Sequence, residues 1–522
     1  MNQPMFSMPV PSHAPLNGHA IKSEGATPNV QARTLPPIDP LRINYRAILR
    51  LVIALSFLFV SYLIGDLLFG ENGRYFLNRV GPISLLVACL WTAYEVIRSN
   101  PNTLWTPIPW FVAGSGFFFG LGPLAYSFGD EAMIAIMDDF FPVGPRELWR
   151  TNVLNVVGII LILTAFLGCS RFMDRRRPLS VPDEKLLSDG RKRIENALYV
   201  FLAIGLPIQY LLILPYEFGQ LSFTLPGSIH SLSGLVPLCV FILAYLAVVS
   251  GGRWKVFFWT LLCSEIVMES LRFNKSAFLI VLIMAVFGRY LALRRMVELV
   301  LGTIFVFLIY VAITPVVDWG RNQIVLQSGD HIHATLEQRL NIAADGIERW
   351  TMGRLELHRN GGWWRRLCYV NSQTLVMSMY DNGSPGTSFQ LVIYGPVPRF
   401  IWPEKPILAP GRELTELAGG GHKSTSQTGI GPVSEAYWNG GWPLVVLSCC
   451  YIGIVLTWLS RSALLILARS EWLLLPCAFL GIQTGGAGVT EWFATTFVNG
   501  MILYLAYYLL IKLFLGMNRN RV

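Results

Sequence analysis

Val297-Glu-Leu-Val-Leu-Gly-Thr-Ile-Phe-Val-Phe-Leu-Ile-Tyr-Val-Ala-Ile-Thr-Pro-Val-Val317 decides the fold. One charge interrupts 21 residues, and a helix of about 20 apolar residues, rising about 1.5 Å each, crosses about 30 Å of hydrocarbon. Lipid offers no partner to backbone N–H and C=O groups, so a segment of this kind satisfies them internally as a helix. Working outward, twelve runs are predicted as spans: 47–69, 80–97, 105–128, 152–170, 197–216, 231–250, 254–271, 276–293, 297–317, 442–460, 472–489 and 493–515. The expected fold is an all-α polytopic membrane protein of about 12 transmembrane helices with one large extracytoplasmic loop.

Composition agrees. The 522 residues are 53% apolar and 14% charged, against about 25% charged in soluble proteins. Mean hydropathy is +0.49. The formal charge of +9 is better explained by topology than by nucleic acid, because basic residues mark cytoplasmic loops. Of the eight cysteines only Cys368 lies in the large loop, which speaks against a disulfide framework or a zinc site. Residues 1–46 are rich in Pro, Ser, Asn and Gly and lack an apolar signal core, and are expected to form a disordered cytoplasmic tail.

Under strict alternation of twelve spans, one side collects Arg175-Arg176-Arg177, Arg191-Lys192-Arg193, Arg253, Lys255, Arg289, Arg294, Arg295, Arg461, Arg469 and Lys512. The other side collects Asp130, Glu131, Asp138, Asp139 and Glu217. The positive-inside rule then makes both termini cytoplasmic, with 516–522 as the C-terminal tail, and places 318–441 outside. The basic stretch Arg171–Glu195 is explained as a topology signal, although it also suits anionic lipid headgroups. Arg272 and Lys275 break the pattern in a short outer loop. They are either side chains snorkelling to the interface or an anion site at the mouth of the bundle.

The segment 318–441 holds 11 Arg and Lys against 11 Asp and Glu, so it exerts no net electrostatic pull. Its first part, 333–380, has helical periodicity through Leu336, Leu340, Ile347 and Leu355, with cations at Arg339, Arg349, Arg354, Arg359, Arg365 and Arg366. Its second part, 381–441, is rich in Gly, Pro, Ser and Thr, so regular helix is not expected there. Prolines at 396, 398, 403 and 406 restrict the backbone around Arg399, Glu404 and Lys405. A rigid loop presenting cations beside a membrane suits a phosphorylated lipid, and composition does not separate that from a structural plug.

The run Pro398-Arg-Phe-Ile-Trp-Pro-Glu-Lys-Pro406, followed after a polar stretch by Glu435-Ala-Tyr-Trp-Asn-Gly-Gly441, resembles the signature of Wzy-type O-antigen and exopolysaccharide repeat-unit polymerases. The Arg272/Lys275 pair and the late outer loop are similar to that family as well. Gly440 stands where an aromatic residue is common, and the Pro-rich tail is not a family feature. The resemblance implies a bacterial inner-membrane glycosyltransferase acting at the outer face. Its donor would be a growing glycan on undecaprenyl diphosphate and its acceptor a lipid-linked repeat unit. A chain-length regulator and a flippase would be its possible partners, with no nucleic acid and no cofactor.

That chemistry needs fixed cations for the departing diphosphate and a base for the acceptor hydroxyl. Candidate diphosphate ligands are Arg272, Lys275, Arg321, Arg354 and Lys405, with Arg399 at the catalytic centre. Glu435 is the first candidate base, with His422 and His358 behind it. Asp138-Asp139 is weighed as a cation site and read instead as an acidic outer loop, and His331 and His333 lack neighbouring ligands, so activity is expected to be metal-independent. An O-antigen ligase would share donor and topology. A carrier such as a lipid-linked oligosaccharide flippase is the alternative from another class, with Glu265 and Glu269, one helical turn apart, as a proton relay or as braces for Arg272.

Overall fold

The computed structural model describes residues 43–138, 141–176, 190–221, 225, 227–328, 334–353, 362–395, 397, 402, 404, 409–419 and 428–519. Among these residues the regular structure is entirely helical. Eight helices are long and apolar enough to cross a membrane, and two shorter apolar ones, Leu235–Val249 and Trp472–Ala487, accompany them.

The first helix, α1 (Tyr45–Ser99), is two helices folded back on each other at Gly70, which adopts φ +55° and ψ −125°. Three contacts show the antiparallel register. Arg50 meets Glu95 at 2.9 Å, Arg74 bonds Asp66, and Gly81 lets the Tyr62 ring lie against the second arm. Small residues permit this approach, as they do in membrane helix pairs generally. The sequence leads one to expect a connection over 70–79, but helix resumes immediately after the glycine. Leu67 is 83% and Phe57 71% exposed on this hairpin, surface that suits lipid rather than water.

Then follow α2 (Pro107–Phe128), α3 (Pro145–Arg176), α4 (Arg191–Glu217), α5 (Leu235–Val249), α6 (Arg253–Leu271), α7 (Lys275–Leu293) and α8 (Met296–Ser328). The helix α6 carries four charged residues in its 19, Arg253, Lys255, Glu265 and Glu269, which keeps it out of the eight. The eighth runs to Ser328, past the expected end of the ninth span at 317, because nothing in Asp318–Ser328 breaks a helix. Two of these helices contain π-helical stretches, Gly116–Leu121 in α2 and Ile208–Ile213 in α4.

In the large loop, α9 (Leu336–Thr351) begins with a capping box from Thr335 and Gln338, and α10 (Val370–Asp381) follows. Regular helix was not expected in the second half of the loop, yet its described residues include short helices at Gln390–Tyr394 and Pro410–Leu417. The chain then enters α11 (Pro432–Ala468), bent at Gly440 and Gly441. It ends through α12 (Leu475–Ala487), a π-helical turn at Ala494–Asn499 and α13 (Gly500–Arg519).

The core is built on α3 and α11, where Gly453 sits against the Ile162 carbonyl and Thr457 donates to the Phe166 carbonyl at 3.2 Å. Into this pair the loop helix α10 is locked by polar contacts. Asn155 and Gln373 exchange hydrogen bonds of 3.0 and 3.2 Å, and Thr151 meets Thr374 at 3.0 Å. At its end Asp381 accepts from Arg150 at 2.5 Å and from Tyr437 at 2.9 Å. Asn155, Gln373, Thr151 and Thr374 are thereby paired, the condition for keeping such groups in an apolar bundle.

Candidate functional site

The turn between α6 and α7 organises the site. Phe273 takes φ 51°, a conformation bulky residues rarely adopt, and its ring is buried beneath Gly320. Asn274 then caps α7 by accepting from the Ala277 N–H at 3.3 Å. The strained residue sends its neighbours in opposite directions. Arg272 grips the Glu217 carboxylate through Nε and through Nη2 at 2.5 Å, and Nη1 donates to Glu269 at 2.5 Å. Lys275 turns the other way, to Asp318 on α8 at 2.6 Å. Both side chains are nearly buried, so neither is a snorkelling group.

On the Lys275 side, Arg321 donates to the Phe273 carbonyl at 2.8 Å, and Arg366 lies close enough to repel both Lys275 and Arg321. Among the described residues these three cations lie close together, with Asp318 acting on Lys275 and Arg321. Above the turn Arg339 of α9, 2% exposed, donates to the carbonyls of Ala334 at 3.0 Å, Leu271 at 3.3 Å and Glu217 at 2.9 Å. Burial pulls its guanidinium below the usual range, while Glu217 opposes that shift.

On the Arg272 side a cavity of about 410 Å³ opens between α4, α5, α6, α7, α12 and α13. Its polar wall is Gln209, Glu217, His230, Glu265, Glu269 and Arg272, and its apolar wall includes Phe479 and Leu480. The wide turn at Ile208–Ile213 brings Gln209 to Glu269 at 3.2 Å and Tyr210 to Glu265 at 2.7 Å. Glu269 thus braces Arg272, whereas Glu265 is held by tyrosine instead.

Glu435 lies elsewhere and is not among the residues lining the cavity. It is completely buried in the first turn of α11, with Oε1 accepting from the Ser388 hydroxyl at 2.7 Å and Oε2 from the Phe493 N–H at 2.6 Å. Asn439 completes the arrangement, donating to Ser388 at 2.9 Å and accepting from the Phe389 N–H at 3.2 Å. With both oxygens engaged, this buried carboxylate joins the loop to two helices.

The structure therefore brings Arg272, Lys275 and Arg321 around one turn and keeps Glu435 out of that cavity. Arg354, His358, Arg399, Lys405 and His422 lie outside the described residues, as does Asp139. Asp138 accepts from Tyr126 at 3.0 Å, and no group of three or more His, Cys, Asp or Glu among the described residues has the geometry to hold a metal ion. Sequence reasoning did not single out Gln209, Tyr210 and His230. A glutamine inside the apolar run 197–216 was the available signal, since buried amides in spans carry partners. No family model, no curated protein and no solved structure matches this chain.

Proposed function

We propose that the protein is a multi-pass membrane glycosyltransferase that polymerises undecaprenyl-diphosphate-linked repeat units into O-antigen or exopolysaccharide at the outer face of a bacterial cytoplasmic membrane. In this reading the chain crosses about twelve times with both termini inside. The observation that supports it is the gathering of Lys275, Arg321 and Arg366, with Asp318 paired to Lys275, across the α6–α7 turn from a polar cavity. A surplus of fixed cations at the end of a helical bundle suits a leaving diphosphate, whose charge grows as the bond to sugar breaks.

The step joins the acceptor hydroxyl oxygen to the donor's anomeric carbon. The bond from that carbon to the diphosphate oxygen breaks, undecaprenyl diphosphate departs with the bonding electrons, and the hydroxyl proton passes to a base. Lys275, Arg321 and Arg366 meet the departing charge. Glu269, Glu265 and His230 line the cavity and supply carboxylate and imidazole there, so they replace Glu435 as base candidates. Glu435 becomes a positioning residue that fixes the loop. Arg399, Arg354, Lys405 and His422 stay in the proposal through the family resemblance.

The buried Glu265 and Glu269, linked to Tyr210 and Gln209, also favour a second reading, a lipid-linked glycan carrier with a proton relay. Deleting the gene and analysing lipid-linked sugars separates the two. A polymerase defect leaves single repeat units on the outer face, and K275A or R321A fails to restore polymer. Units retained on the inner face instead support the carrier, and normal polymer from both variants removes the cation cluster from the reaction.

A further inference from the structure

The cavity beside Arg272 has an imbalance of charge and of hydrogen-bonding groups. Three carboxylates, Glu217, Glu265 and Glu269, line it against one guanidinium and the His230 imidazole, and that guanidinium is already saturated by Glu217 and Glu269. Two acceptor oxygens in its wall have no hydrogen-bond partner, Glu269 Oε2 and Gln209 Oε1, on side chains only 3% and 2% exposed. Buried acceptors of this kind call for donors. The volume of about 410 Å³ falls within the roughly 300–1,000 Å³ of small-molecule sites.

A ligand matching this wall brings several O–H or N–H donors and no negative charge. We propose that the cavity receives the sugar attached to the diphosphate and admits neutral or amino sugars while rejecting uronic acids. The proposal rests on the lipid-diphosphate reading and adds a specificity to it. A sugar hydroxyl donates to Glu269 Oε2 and another to Gln209 Oε1. A sugar carboxylate would meet Glu265 and Glu269 where Arg272 is committed on both faces, leaving the His230 imidazole as the one basic lining side chain to receive it against three carboxylates. Rejection by unmatched charge gives stronger discrimination than loss of a contact.

The test uses the full chain in detergent and three probes: farnesyl diphosphate, the same diphosphate bearing glucose, and the same bearing glucuronic acid. The glucose probe is expected to bind at least about tenfold more tightly than the glucuronic acid probe, and the sugarless probe falls between them. E269Q is expected to narrow that ratio. E265Q is the second variant, and an unfolding scan of each variant without ligand checks that it folds. Equal binding of the two sugar probes, or an unchanged ratio in a folded E269Q or E265Q, overturns the specificity alone. Failure of all three probes to bind overturns the lipid-diphosphate reading together with it.

Discussion

Arg339 donates to the backbone carbonyl of Glu217 at 2.9 Å while the carboxylate of that same residue is held by Arg272. One glutamate thus links the extramembrane helix α9 to the turn that carries Arg272 and Lys275. Loss of Arg339 would strand three buried carbonyls, each bond to a charged donor contributing about 1.5–3 kcal/mol. R339A is expected to destabilise by about 3 kcal/mol or more. R339K recovers only part of this, since a single ammonium cannot fork to three acceptors. Unfolding in detergent, followed by circular dichroism, measures both, and full recovery by R339K contradicts the fork.

Glu435 offers a contrast between structural and catalytic roles. Replacing it by alanine removes two hydrogen bonds to a buried carboxylate and is expected to cost about 2–4 kcal/mol. Membrane abundance and unfolding temperature should fall together with polymer yield. A variant E435A of wild-type stability that makes no polymer would restore Glu435 to the chemistry.

The α1 hairpin separates two kinds of glycine. A Cβ on Gly70 meets nothing but forces φ +55° on an L-residue, at about 1–2 kcal/mol. A Cβ on Gly73 would lie 2.0 Å from the Gly65 carbonyl oxygen, so the two arms must part. G73A is expected to be the more damaging of the two, read as the loss of folded protein recovered from membranes.

Thiol chemistry reports on the surroundings of two cysteines. Burial pushes the Cys368 thiol up to about 12, so at pH 8 the reactive thiolate is scarce in the folded protein and abundant once it is denatured. Cys263 is exposed on α6 and faces the lipid in our reading. A charged maleimide is therefore expected to label neither cysteine in the native membrane-bound protein and both once it is denatured. Rapid labelling of Cys368 in the native state would show that the base of the loop is open.

The helical class was legible because it depends on runs of residues, and each predicted run lies on helix. The hairpin at Gly70 was less visible, since a glycine and two charges read equally well as a loop. The site divided along physical lines. Arg272, Lys275 and Arg321 stood out as charges at the end of apolar runs, and Glu269 as the brace of Arg272. Gln209 and Tyr210 escaped notice because their approach to Glu269 and Glu265 follows from a local winding that no periodicity of side chains announces. The burial of Glu435 was not legible, because sequence gives residue type but not depth.

The wide turn at Ile208–Ile213 makes the cavity vulnerable to length rather than to chemistry. Such a turn holds one residue more than the regular helix around it. Excising a single residue there would rewind the segment and swing Gln209 and Tyr210 away from their glutamates, though every cavity side chain survived. Relatives of this chain that lost the cavity would then differ by a gap in alignment, with no substitution at the site to betray the change.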